Sequence, residues 1–263
     1  MRGRALALAA LVAVAASCSA ERPAAPESGT SPAPASPPVP ASPTYLALGD
    51  SLAAGVGAPA GEGYVDLVHA GLREDLPDVD LLSFGVSGET TSSMLTPGGQ
   101  LERAEEALRS GEVRLVTIDI GANDGLGCAL ARDKACVEGT LDAVRANLAT
   151  VLERIRTADP DVPVVGTDYY LPVPPQLQED PSQVAAALGV LRRLNDTLAD
   201  VYAEYDVPVA PVSDAFGGRD PALVVERNCA YTSMCSPAPD IHPNPRGHAA
   251  IAGALLAVLP DVG

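Results

Sequence analysis

The chain has 263 residues, with 17 Lys and Arg against 34 Asp and Glu, five Cys and no Trp. At roughly 100–200 residues per domain the length allows one large domain or two small ones, and a 47% hydrophobic share excludes wholesale disorder. A net charge of −17 argues against a nucleic-acid binder, which needs a basic face to displace counterions, and against electrostatic docking on anionic lipid.

The chain opens with Arg2 and Arg4, then an apolar run from Ala5 to Ala16, then Ser17 and Cys18. A basic start, a short apolar stretch and small residues before a cleavage point make residues 1–17 a secretory signal peptide. The run is too short to span a bilayer, which takes about 20 residues. Ala15-Ala16-Ser17-Cys18 resembles a bacterial lipobox, which implies acylation of Cys18 and attachment to the outer face of the cell membrane. Ala15 stands where a lipobox usually has Leu, so cleavage near Ala20 to release a secreted protein is the other reading. Residues 18–43 are almost wholly Pro, Ala, Ser, Glu, Gly and Thr. Such a segment buries nothing and forms a semi-rigid tether of about 3.1 Å per residue. One folded domain then covers residues 44–263.

Its elements follow in order. Tyr45 to Gly49 reads as a buried strand, Gly63 to Leu76 as a helix with Tyr64, Leu67, Val68, Leu72 and Leu76 on one face, and Val79 to Phe84 as a second strand. Gln100 to Ser110 is a charged helix stopped by Gly111, and Val113 to Ile120 is a strand rich in β-branched residues. A long helix from about Glu138 to Ala158 ends before Pro160. Val162 to Gly166 is a strand, Pro181 to Tyr205 a helix, Val207 to Val212 a last strand and Pro245 to Leu259 the closing helix. This alternation implies an α/β domain, a parallel sheet covered on both faces, with its chemistry outside the carboxyl ends of the strands.

Export changes the cysteine arithmetic. With Cys18 set aside, Cys128, Cys136, Cys229 and Cys235 remain, and four cysteines in an oxidising compartment imply two disulfides. Each near pair lies in a Gly/Pro-bearing, loop-like stretch, so Cys128–Cys136 and Cys229–Cys235 are the expected bridges. The spacings do not match a structural zinc pattern, so no metal is expected. A phosphate-binding P-loop is excluded, because Lys134 is the only lysine and no G-x-x-x-x-G-K-[ST] occurs. No cofactor is expected either.

Four short blocks fall where such a sheet carries its chemistry: Gly49-Asp50-Ser51-Leu52, Ser87-Gly88-Glu89-Thr90, Gly121-Ala122-Asn123-Asp124 and Asp240-Ile241-His242-Pro243. In this order and placement the chain resembles the SGNH (GDSL) hydrolases, which are esterases, lipases, thioesterases and carbohydrate deacetylases. The resemblance implies a three-layer α/β/α architecture around a flavodoxin-like five-stranded parallel sheet, the SGNH hydrolase fold. It also implies a serine esterase or lipase that cleaves carboxylic esters, of a small molecule or a lipid, through an acyl-enzyme.

On this resemblance Ser51 is the nucleophile, an alcohol that attacks poorly without a base within hydrogen-bond reach. His242 is that base, since imidazole titrates near neutrality. The oxyanion hole consists of the N–H of Ser51, the N–H of Gly88 and the side-chain amide of Asn123. The orienting acid departs from the family pattern, which has Asp three residues before the His. Pro239 stands there, and Asp240 is two before. Asp240 and the Pro239 carbonyl are both candidates to hold the imidazole tautomer. Tyr169 and Tyr170, just past the fourth strand, are expected to line the substrate wall.

Plainer roles compete for each residue. Ser51 fits a helix N-cap. Ser87 fails the G-x-S-x-G elbow because Glu89 occupies the last Gly position. Asp124 fits a structural turn, and His69 lies beside an apolar helical stripe. His248 falls on the closing helix, since Asn244-Pro245 reads as its cap and first residue, although a metal pair with His242 is conceivable. Three functional alternatives to the esterase follow: a catalytically silent surface-binding lipoprotein, a carbohydrate O-deacetylase, and metal-dependent hydrolysis through His242 and His248.

Overall fold

A computed structural model describes residues 42–130 and 132–262 of the chain. The signal segment 1–17, Cys18 with its acylation and the tether as far as residue 41 lie outside the described residues. In chain order the elements are β1 (Thr44–Gly49), α1 (Tyr64–Leu72), β2 (Asp80–Ser83), α2 (Thr91–Met94), α3 (Gln100–Leu108), β3 (Val113–Asp119), α4 (Ala122–Leu130) and α5 (Lys134–Ala158). They continue as β4 (Val164–Thr167), α6 (Pro175–Gln178), α7 (Pro181–Glu204), β5 (Val209–Ala210), α8 (Val212–Ala215), α9 (Pro221–Tyr231) and α10 (Pro245–Leu256).

All strands are parallel, in the order β2-β1-β3-β4-β5. The order reverses between β1 and β3, and ligand crevices form beyond the carboxyl ends of strands at such a switch point. The β1-to-β2 crossover runs the opposite way along the sheet from the later ones. Right-handed connections therefore put α1 on one face and α3, α5 and α7 on the other. α10 packs on α1, and α5 on both α3 and α7. With helices on both faces, the central strands have no wet side. β1 is buried from Tyr45 onward and β3 everywhere but Arg114, which is why both read as continuous apolar runs rather than alternating ones.

Several elements differ from the sequence reading. β5 has two residues instead of the run from Val207 to Val212, because Pro208 and Pro211 flank it and neither has an N–H for the ladder. α1 stops at Leu72, ahead of Pro77. α5 starts at Lys134 because Asp133 accepts the Cys136 N–H at 3.1 Å and caps it. Five helices had no counterpart in the sequence reading: α2, α4, α6, α8 and α9. They are too short or too weakly striped for periodicity to reveal them. Both disulfides are present, Cys128–Cys136 and Cys229–Cys235. Cys128 is on α4, Cys136 on α5 and Cys229 on α9, while Cys235 lies in the turn past α9, so the first bridge joins two helices and the second ties α9 to that turn.

One close approach sets the spacing between β4 and α7. A Cβ on Gly166 would sit 2.4 to 2.6 Å from three atoms of the buried Tyr202 ring. The bare strand surface lets the ring lie flat against the sheet, with its hydroxyl donating toward the Ile118 carbonyl at 3.4 Å. Gly166→Ala must push this ring, and α7 with it, off the sheet. Overpacking of this kind costs about 1–3 kcal/mol. Thermal denaturation of the variant is expected to show a corresponding drop in Tm, and an unchanged Tm would mean that α7 yields freely.

Candidate active site

The site is built where β1 and β3 end side by side. Gly49 closes β1 with φ +149°, and a Cβ there would fall 2.3 Å from Oδ1 of Asp119, the last residue of β3. Only glycine lets the chain turn over that carboxyl group. The Asp50 N–H then donates to Asp119 Oδ2 and to the Asp119 carbonyl, both at 3.2 Å. On the far side, Tyr64 of α1 donates its hydroxyl to Asp119 Oδ1.

Asp50 organises the next layer. Its Oδ1 accepts the Leu52 N–H at 2.9 Å, which pins the turn carrying Ser51. Its Oδ2 accepts the Tyr169 hydroxyl at 2.8 Å and the Asn123 amide at 3.4 Å. The Asn123 amide also donates to the Glu89 carbonyl at 2.9 Å, beside Gly88. Gln100 at the start of α3 ties the first two loops together. Its side chain exchanges hydrogen bonds with the Gly49 peptide at 2.9 and 2.8 Å and donates to Glu89 Oε2 at 2.9 Å. Among the described residues no acceptor takes the main-chain N–H of Ser51 or of Gly88. Gly88 has φ +83°, and a Cβ there would meet open space, so its demand for glycine is conformational rather than steric.

The fourth block arrives from the chain's far end. Asp240 Oδ1 lies 2.5 Å from His242 Nδ1 and also accepts the His242 main-chain N–H at 3.0 Å. No hydrogen bond joins the Pro239 carbonyl to the imidazole among the described residues. The segment is anchored by the Thr232–Pro243 bridge, by the Ser233 N–H donating to the His242 carbonyl at 3.1 Å and by the Tyr170 hydroxyl donating to the Ile241 carbonyl at 2.8 Å. It meets the Ser51 turn at Gly57. A Cβ on Gly57 would lie 2.1 Å from the Pro243 carbonyl oxygen and 3.2 Å from His242 Cβ. The turn is itself closed by the Val56 N–H donating to the Ser51 carbonyl at 3.0 Å. Ser51 therefore sits in a turn packed on the His242 segment and caps no helix.

A family model described as GDSL-like Lipase/Acylhydrolase matches residues 47–250. The chain belongs to this family of ester-hydrolysing enzymes. Comparison with curated proteins finds no match by sequence. Among solved structures, the lipase Lip_vut3 from a goat rumen metagenome is 25% identical with a TM-score of 0.61, over 82% of this chain and 97% of that one. Phospholipase A1 from Streptomyces albidoflavus is 20% identical with a TM-score of 0.60, over 82% and 99%. The acetylxylan esterase Axe2 from Geobacillus stearothermophilus is 19% identical with a TM-score of 0.57, over 82% and 93%. The last two share the fold.

In this GDSL-like hydrolase several residues act differently from the sequence reading, or went unnoticed in it. Tyr169 and Tyr170 are 4% and 7% exposed, and their hydroxyls are bonded to Asp50 and Ile241, so they brace the site from behind instead of forming an open wall. Asp124 accepts the Thr91 N–H and hydroxyl, at 2.9 and 2.5 Å, and so caps α2. His69 contacts the Val79 carbonyl at 2.8 Å, a packing role. Glu89, Gln100, Tyr64 and Asp119 were missed as site residues. The signal for Asp119 was present, as the one acid inside the best apolar strand.

Charge is distributed unevenly. The His242 main-chain N–H, and after it the imidazole, hold the Asp240 carboxyl below the usual carboxylate range. Burial raises Asp50, and raises Asp119 much further because the Asp50 charge adds to desolvation. Two adjacent buried carboxyls cannot both ionise. Asp50 receives three donors, which favour its charged form, while burial and the Asp50 charge push Asp119 toward its neutral form.

Buried His248 is the other titrating feature. Its Nδ1 accepts the Tyr64 N–H at 3.1 Å and its Nε2–H donates to the Val56 carbonyl at 3.0 Å. Both nitrogens are occupied, which removes it as a metal partner for His242. Burial lowers its pKa, so the native state refuses a proton that the unfolded chain accepts near the ordinary value of about 6.5. Stability contributed at neutral pH is therefore lost as pH falls through that value toward the lower native one. The fall in Tm from pH 7.5 to 5.5 is expected to be steeper in the wild type than in His248→Gln. Equal slopes would show that this histidine does not govern acid sensitivity.

Proposed function

We propose that this chain hydrolyses carboxylic acyl esters through a covalent serine intermediate, with Ser51 as nucleophile, His242 as base and Asp240 as the orienting acid. The observation that carries the reading is the Asp240–His242 pair seated, through Gly57, against the turn that presents Ser51. With Asp240 at Nδ1, the imidazole is protonated on that nitrogen and free to take a proton at Nε2. Ser51 Oγ attacks the ester carbonyl as its proton passes to Nε2. The carbonyl oxygen becomes an oxyanion facing the N–H groups of Ser51 and Gly88 and the Asn123 amide. That amide gives up its bond to the Glu89 carbonyl for the oxyanion while Asp50 keeps the other hydrogen. His242 returns the proton to the departing alcohol, and water, deprotonated in the same way, releases the acid and Ser51.

The surroundings favour an acyl substrate. Val86, Leu126 and Ile241 are 45, 40 and 40% exposed. They stand two residues from Gly88, one helical turn past Asn123 and next to His242. The blocks that carry the chemistry thus also present apolar surface outward. The two disulfides are consistent with export, and no helix of the described residues is long and apolar enough to cross a membrane. Acylation of Cys18 would hold the enzyme outside the cell at the end of its tether, beside lipid esters.

Ser51→Ala is expected to lower hydrolysis of p-nitrophenyl butyrate by about 10³-fold or more and to abolish labelling by a fluorophosphonate. Persistent turnover in that variant would overturn the assignment. A faster rate on acetylated xylo-oligosaccharides than on butyryl to palmitoyl esters would replace acyl esters with sugar acetates.

Asp240→Asn tests the acid separately. The Asp240 side chain is 49% exposed, so solvent competes for the imidazolium and the loss should be about 10- to 100-fold, below the ~10⁴ of a buried triad acid. A variant with unchanged kcat would return the orienting role to a main-chain carbonyl.

A further inference from the structure

We propose that Asp119 is a positioning residue of this site, a buried acid beneath the Gly49-Asp50 turn that holds Asp50 by its main-chain N–H, and through Asp50 the Asn123 amide, in place. The inference rests on the reading of Asn123 as an oxyanion donor. It reaches beyond the four blocks to the floor under them.

Three observations carry it. First, the site of Asp119 is expensive to occupy with an acid. Asp119 is fully buried, and no Lys or Arg pairs with it or with Asp50 among the described residues. The groups around it from neighbouring elements are the hydroxyls of Tyr45 on β1, Tyr64 on α1, Tyr169 and Tyr202, together with Asp50 itself. A carboxyl held without a cation at the end of an apolar strand is pushed toward its neutral form. Second, every contact it makes leads to the site. One oxygen takes the Tyr64 hydroxyl and the other takes the Asp50 N–H. Third, the neighbouring residue is shaped for it, because Gly49 must lack a Cβ for the carboxyl to lie where it does.

The consequence is mechanical. Asp50 is the acceptor shared by Leu52, Tyr169 and Asn123. Its bond to Asn123 is long, at 3.4 Å, so small rotations of the Asp50 carboxylate release the amide. Asp119 removes that freedom by holding Asp50 from below. It touches no reacting atom, so its loss should slow turnover and leave binding nearly unchanged.

The experiment uses the full-length chain and p-nitrophenyl butyrate, with Ser51→Ala alongside. In Asp119→Leu, kcat is expected to fall about 100-fold or more, the scale of a lost oxyanion donor, with KM within about threefold. Asp119→Asn keeps the side-chain shape and an acceptor for Tyr64, the Asp50 N–H still has the carbonyl of residue 119, and kcat should return to within about fivefold of wild type. If Asp119→Leu does not fold, as judged by circular dichroism, Asp119→Ser carries the same expectation of lost kcat. A wild-type kcat in the folded Leu or Ser variant overturns the inference, as does an Asn variant no better than Leu. If Ser51→Ala itself retains turnover, the esterase reading falls and takes this inference with it. A dead Ser51→Ala beside an unaffected Asp119→Leu overturns this inference alone.

Discussion

Two carboxyl groups that cannot both be charged meet at the end of the central strands, and much of the site is arranged around that restriction. Burial and the neighbouring Asp50 charge both oppose ionisation of Asp119. The Asp50 N–H donates to its carboxyl and carbonyl oxygens and ties the two residues together. Gly49 gives the pair room, Tyr64 closes it on one side, and Tyr169 closes it on the other. Asp50 is left as a fixed acceptor from which the Ser51 turn and the Asn123 amide are hung. A folded scaffold with apolar residues at these positions would be simpler to build but would have nothing rigid to aim the polar groups above it.

The pair proposed as base and acid lies in the opposite regime. Asp240 and His242 are near the surface, where water and salt weaken charge interactions. Their geometry depends on neighbours more than on their mutual attraction. The segment is fastened by the Thr232–Pro243 bridge, the Asn244 cap of α10 and the Tyr170 hydroxyl, and the Cys229–Cys235 bridge closes the turn just before it. His248 then links α10 to the Ser51 turn and to α1. The enzyme thus joins a dry floor to a wet, mechanically braced rim.

The order of the strands and the longer helices was legible because the parallel sheet buries both faces and so leaves largely apolar runs at Tyr45, Val113 and Val162. The four blocks could be read as candidates because each gathers chemistry-bearing residue types into a few positions, three just past strands and one before α10. Less could be read where the cause was long-range. Nothing local marks Gln100 as a clamp, since its partners Gly49 and Glu89 are brought to it only by the fold. Tyr169 and Tyr170 sat at the correct strand end, but sequence does not say whether an aromatic ring faces the crevice or the core. The extent of β5 was misjudged because its hydrophobicity suggested a strand while Pro208 and Pro211 removed the donors that one requires. Asp119 was visible as an anomaly, an acid in a β-branched run, whose purpose needed its neighbours to be known.

The brevity of β5 bears on how the protein behaves in a crowd. An outermost strand with a long row of free peptide groups is a template on which other chains can add, and it is where many sheets begin to aggregate. This sheet exposes only two residues on that side and four on the other. Proline interrupts the shorter edge, and the whole chain carries a formal charge of −17. A sheet edged in this way offers strangers very little backbone to zip onto.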